Sequence, residues 1–202
     1  MRYGMVIDLS RCVACYACVV ACKAEHATPP GVLFSWAFRR ERGEYPHTRN
    51  VYMPMLCNHC DVPSCVDVCP TGATHKREED GIVAIDADKC VGCRACMTAC
   101  PYHARYHLDE IRSYHPGHGR TPYEEAGYRN HQVGTVEKCD FCLDRLADGQ
   151  EPACVANCPA VARVFGDLDD PASDVSRLVR QGHAFQLLPE METDPSVYYL
   201  PA

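Results

Sequence analysis

The apolar positions of this chain come in short, broken runs that predict little regular secondary structure. After the polar turn "REEDG", the run "IVAID" at residues 82–86 reads as the alternating strand of a short hairpin. Ser173 to Arg180 predicts a short helix behind a proline-containing start. No stretch approaches the ~20 apolar residues of a membrane helix, so the chain is not expected to span a bilayer by itself. Its opening, "MRYGMVIDLSRC", has no extended apolar segment and no twin-arginine pair, hence no visible export signal.

Composition moves the question from packing to ligation. Of 202 residues 16 are cysteine and only 5 phenylalanine, so aliphatic and aromatic packing alone is not expected to hold the core. Small domains short of apolar surface use disulfides or metals as staples. The formal charge of −7, with no basic run longer than a pair, argues against nucleic-acid binding. No glycine-rich phosphate loop or dinucleotide fingerprint supports a nucleotide or flavin.

All sixteen cysteines fall into four groups: Cys12, Cys15, Cys18, Cys22; Cys57, Cys60, Cys65, Cys69; Cys90, Cys93, Cys96, Cys100; and Cys139, Cys142, Cys154, Cys158. Cysteines two residues apart seldom reach relaxed disulfide geometry, and overlapping spacings cannot all be bridged locally. Zinc is a fairer rival, since the second and fourth groups taken alone could form tetrahedral thiolate sites. The first and third groups favour iron–sulfur: C-x2-C-x2-C-x3-C sets three thiolates around one cluster and sends the fourth to a neighbouring one. Proline follows the last cysteine in three groups (Pro70, Pro101, Pro159), and Lys23 replaces it in the first. Closed sites with four thiolates each leave no iron open to substrate, which points to electron transfer.

The chain also repeats itself. "IDLSRCVACYACVVAC" (7–22) aligns without a gap on "IDADKCVGCRACMTAC" (85–100), and "PSCVDVCP" (63–70) matches "PACVANCP" (152–159). The short link between Cys69 and Cys90 resembles the connection between the halves of a bacterial two-cluster ferredoxin. That resemblance implies an α+β fold of two ferredoxin-like lobes, one inserted in the other, with long loops. The inner lobe is expected at 57–101, the outer at 1–56 and 102–170, and a partner-contacting tail at 171–202. The crossed ligation of ferredoxins then implies four sets: Cys12, Cys15, Cys18 with Cys158; Cys139, Cys142, Cys154 with Cys22; Cys57, Cys60, Cys65 with Cys100; and Cys90, Cys93, Cys96 with Cys69.

Other residues take supporting readings. Arg11, Lys23, Lys76, Lys89, Arg94 and Lys138 lie close in sequence to the cysteines, either offsetting cluster charge or simply solvated. His59 is expected to meet a cluster sulfur or solvent. Asp8 and Asp86, at equal offsets before a group, are expected to turn the backbone. "HPGHG" (115–119) reads as a surface turn. Trp36, Tyr198 and Tyr199 are candidates either for interface anchors or for covers over a cluster.

With groups of this number and order, the chain resembles the four-cluster iron–sulfur subunits of the dimethyl sulfoxide reductase family of molybdopterin oxidoreductases, those of polysulfide, thiosulfate, tetrathionate or arsenate respiration above all. The motifs carrying the likeness are "GMVIDLSRCVAC", "LCNHCDVPSCVDVCPTGA", "DKCVGCRACMTACPY", "EKCDFCLDRL" and "PACVANCPAVARVFGDLDDP". The resemblance implies four 4Fe–4S clusters on the sixteen cysteines, no catalytic residue on this chain, and a catalytic partner bearing a molybdenum or tungsten bis-pterin. It further implies a quinol-interacting membrane partner and an extracytoplasmic, membrane-peripheral home reached with a signal-bearing partner, the cytoplasm being the alternative. A free-standing soluble polyferredoxin is the other functional reading.

Overall fold

The computed structural model describes residues 1–202. Its sixteen regular elements are short, as the broken apolar pattern requires. The first half holds β1 (Tyr3–Asp8), α1 (Ala17–His26), β2 (Ser35–Arg42), β3 (Arg49–Leu56), α2 (Ser64–Asp67), β4 (Thr74–Lys76), β5 (Val83–Ile85) and α3 (Ala95–Ala99). The second holds β6 (Tyr106–His107), α4 (Pro122–Gly127), β7 (Val136–Glu137), α5 (Leu143–Ala147), α6 (Ala153–Ala156), β8 (Arg163–Asp167), α7 (Asp174–Arg180) and β9 (Val197–Leu200).

The two ends of the chain meet in one three-stranded sheet ordered β8-β1-β9. Met5 stands opposite Phe165 across an antiparallel ladder and opposite Val197 across a parallel one. Met5, Val6, Ile7, Val197 and Tyr199 have no exposed surface, so β1 is a central strand buried on both faces. Gly4 permits this crowding: a Cβ there would lie 2.5 Å from the Ser196 carbonyl oxygen and 2.4 Å from Leu168.

The hairpin expected before the third cysteine group is present, with β4 and β5 antiparallel and Thr74 opposite Ile85. The helix expected at Ser173 is α7, whose Ser173 hydroxyl accepts the Ser176 N–H as N-cap. Residues 35–56 form the long β2–β3 ribbon. Residues 102–138 contain α4, started by a capping box between Thr121 and Glu124.

Residues 171–202 are anchored in the body of the protein. They return to the centre of the fold, β9 lies beside β1, and the Tyr199 hydroxyl donates to the Pro54 carbonyl oxygen at 3.0 Å. Tyr199 is therefore an internal core residue. Trp36 also turns inward, edge-on to Tyr106 at 6.4 Å between ring centroids. No helix is long and apolar enough to cross a membrane.

Candidate metal centres

The sequence repeat is a structural repeat. The Asp8 carboxylate accepts the N–H groups of Ser10 and Arg11, and Asp86 accepts those of Asp88 and Lys89, so each turns the chain into the cysteine loop that follows. Within the loops, Ala14 and Tyr16 match Gly92 and Arg94, all with left-handed backbones. The left-handed residue before α1 or α3 lets three cysteines curl around one hollow. The fourth cysteine follows four residues later, about one helical turn on. In the other two groups a proline starts the single-turn helices α2 and α6, which carry Cys65 and Cys154.

The sixteen thiols are all unbridged, and they gather in four sets. Cys12, Cys15, Cys18 and Cys158 line one hollow with Arg163. Cys69, Cys90, Cys93 and Cys96 line another with Thr71 and Thr74. Cys22 lies within electrostatic reach of Cys142 and Cys154, and Cys139 within reach of Cys22 and Cys154. Cys60 is as close to Cys57, Cys65 and Cys100. Two hollows thus hold a distant cysteine beside three local ones, Cys158 with Cys12, Cys15 and Cys18, and Cys69 with Cys90, Cys93 and Cys96.

The sets also follow one another in space. Cys18 of the first reaches Cys154 of the second, and Cys57 of the third reaches Cys139 of the second. Arg105 lies within reach of Cys57 and Cys65 in the third and of Cys96 in the fourth. Only Cys15 and Cys93, in the first and last sets, are exposed.

The donor chemistry fits iron–sulfur clusters. No three His, Cys, Asp or Glu side chains converge closely enough to hold a single metal ion, whereas a cluster takes its thiolates from around a wider body. Burial pushes the Cys60 and Cys142 thiols up to about 12, and Cys139 well above its ordinary value. Thiolates at these positions need a positive counterweight. Cys69 is the opposite case: against the cost of its partial burial, hydrogen bonds from Thr74 and Thr71 hold it down to about 7. Backbone N–H groups reach the sulfurs of Cys69 (from Thr74, 3.3 Å), Cys158 (from Ala162, 3.3 Å) and Cys90 (from Val136, 3.5 Å), contacts that favour anionic sulfur.

The sequence-selected cations divide. Lys138 is buried, its ammonium donating to the carbonyl oxygens of Cys139 and Val83. Lys23 is held by the Val32 and Thr28 carbonyls and the Thr28 hydroxyl, and its desolvation pulls its pKa down. Lys76 pairs with Asp61, Lys89 with Asp86, and Arg94 with Asp109, while Arg11 is exposed. His59 corrects the solvent-exposed reading: it is buried, stacks on Phe141 at 3.8 Å, its Nδ1 accepts the Val83 N–H, and its Nε2 has no partner within the protein.

Three sulfur neighbours escaped the sequence reading. His26 Nε2 lies 3.3 Å from the Cys142 sulfur, Arg105 Nη2 donates to the Cys65 sulfur at 2.7 Å, and Arg163 closes the first hollow. The two arginines had a signal, since "CPYHAR" (100–105) and "CPAVAR" (158–163) place each five residues after a last cysteine. By position Arg105 falls in the outer lobe as drawn from sequence, yet it packs against cysteines of the inner one.

Comparison with known proteins converges on the same chemistry. A 4Fe–4S dicluster domain family matches residues 48–115 and 110–168, and a 4Fe–4S binding domain family matches residues 9–25. The chain is 44% identical over 212 residues to a putative dimethyl sulfoxide reductase iron-sulfur subunit of Halobacterium salinarum, covering 98% of this chain and 79% of the relative. It is 42% identical to ArrB, the arsenate respiratory reductase iron-sulfur subunit of a Shewanella species, over 99% of this chain and 96% of that one. A tetrathionate reductase subunit of Salmonella typhimurium is 42% identical, over 98% of this chain and 72% of the relative.

Proposed function

The chain belongs to the family of iron–sulfur electron-transfer subunits of dimethyl sulfoxide reductase-type oxidoreductases, and from that premise we propose that it relays electrons through four 4Fe–4S clusters. The relay runs between a quinol-side membrane partner and a catalytic subunit bearing a molybdenum or tungsten bis-pterin. The observation that carries this reading is the unbranched succession of four cysteine sets, ending at exposed Cys15 on one side and exposed Cys93 on the other. An exposed thiol in the first set and another in the last suit a subunit that takes electrons from one protein and hands them to another.

When bound, the clusters supply one-electron transfer without ligand exchange. The protein's own residues do the rest. Four thiolates per set close the iron to substrate, so this chain has no catalytic residue. The crossed sets, Cys12, Cys15, Cys18 with Cys158 above all, staple residues near the start of the chain to those near 158. The two ferredoxin-like lobes, the outer containing the inner, follow from the same pairing.

Membership of the family speaks against a free-standing polyferredoxin. So does the β2–β3 ribbon, which carries Phe38 and Tyr45 exposed beside Arg39, Arg40 and Arg42, a surface suited to a lasting protein contact. An extracytoplasmic site, reached in complex with a signal-bearing partner, accords with the same family pattern and is read by cell fractionation. Anaerobic isolation of the tagged chain from its host tests the relay itself. Co-purification with a stoichiometric large subunit containing molybdenum or tungsten is expected; a stable iron-bearing monomer would overturn the subunit reading.

A further inference from the structure

The buried lysines and arginines of this protein are three: Arg105, Lys138 and Arg163. None of them faces a carboxylate. Burying a cation without an anionic partner is strongly unfavourable, so all three need negative charge from elsewhere. Each one stands where two successive cysteine sets meet. Arg163 lines the hollow of Cys12, Cys15, Cys18 and Cys158 and reaches Cys154 of the second set. Lys138 donates to the carbonyl oxygens of Cys139 in the second set and of Val83, whose own N–H donates to His59 between Cys57 and Cys60 of the third. Arg105 donates to the Cys65 sulfur at 2.7 Å and to the Thr74 hydroxyl at 3.1 Å, and Thr74 in turn lines the hollow of Cys69, Cys90, Cys93 and Cys96.

We propose that these three residues are the potential-setting cations of the relay, one at each junction, each acting on both clusters it separates. The proposal rests on the four-cluster reading above. Reduction adds an electron to a site that four thiolates already make negative, and a fixed positive charge in a dry environment favours the reduced form. A cation shared by two neighbours raises both potentials together, so no junction becomes a steep step. The repeat supports this division of labour: Arg105 and Arg163 close two halves of the molecule at the same offset from their last cysteine, and Lys138 fills the remaining junction.

The test is a redox titration, followed by electron paramagnetic resonance, of the intact complex carrying Arg163→Gln or Arg105→Gln. R163Q is expected to lower two of the four cluster potentials and leave two in place. R105Q is expected to lower the complementary two. A single shifted cluster, a uniform shift of all four, or the same pair shifting in both variants would overturn the proposal. If a glutamine variant loses iron, Arg163→Lys and Arg105→Lys decide: potentials kept with the charge support the assignment, and a lowered pair despite the charge contradicts it. The wild-type complex separates the two levels of inference, since fewer than four reducible clusters there would refute the relay reading itself.

Discussion

Tyr199, three residues from the end of the chain, donates its hydroxyl hydrogen to the Pro54 carbonyl oxygen at 3.0 Å. The bond ties the strand that closes the central sheet to the ribbon beside the first cysteine hollow, which Pro54 also lines. Tyr199 has no exposed surface, and burial raises its pKa far above the ordinary tyrosine value, so the hydroxyl stays a donor. Tyr199→Phe leaves that carbonyl without its donor and is expected to destabilise the protein by about 1–2 kcal/mol. Anaerobic thermal melting should fall by roughly 2–8 °C. An unchanged melt would mean that the contact contributes nothing.

The crossed pairing makes a selective forecast. Cys158→Ala should remove the cluster built on Cys12, Cys15 and Cys18, dropping iron from about sixteen to about twelve atoms per chain. Cys22→Ala should instead remove the cluster of Cys139, Cys142 and Cys154. Metal analysis with paramagnetic resonance separates the outcomes. If C158A lost the signal that C22A is expected to lose, the crossing would be wrong.

Two equivalent positions in the repeat should respond in opposite directions. Ala14 holds a left-handed backbone at φ 56°, which costs an alanine about 1 kcal/mol, and Ala14→Gly should be neutral or mildly stabilising. Gly92 has the same conformation, but a Cβ there would lie 2.1 Å from the Gly134 carbonyl oxygen. Gly92→Ala is therefore expected to displace the segment before β7 and reduce iron retention in the fourth set. Equal melting temperatures for wild type and G92A would refute the close approach.

The 102–138 insertion carries a pH dependence. Glu124 accepts the N–H groups of Thr121 and Tyr114 and the hydroxyls of Thr121 and Ser113, and these hold its carboxyl down to about 2. Because the folded value lies below the ordinary 4.5, its contribution is complete above that value and lost as the pH falls toward 2. Hydrogen exchange across residues 113–128 should accelerate as the pH drops through this window, beyond the intrinsic rate change, and Glu124→Gln should abolish that acceleration. The same profile in both proteins would contradict the assignment.

What the sequence made legible was whatever spacing alone dictates. The four cysteine groups, the aspartate turns at Asp8 and Asp86, the hairpin before Cys90 and the helix after Ser173 all depend on residues close together in the chain. The β9 strand was not legible, because "VYYL" becomes a strand only through its parallel register on β1, nearly two hundred residues away. The burial of His59 was not legible for a similar reason: Phe141 and Val83, distant in the chain, decide where its ring lies. Arg105 and Arg163 were readable in principle. Their repeat lay just beyond the cysteine motifs, where nothing in the residue type distinguishes a buried arginine from a solvated one.

The most direct test of the central claim is iron analysis of the anaerobically purified complex together with its visible spectrum before and after dithionite. The relay account predicts about sixteen irons per copy of this chain and absorption near ~400 nm that bleaches on reduction. Zinc in place of iron, or a spectrum that dithionite leaves unchanged, would contradict it.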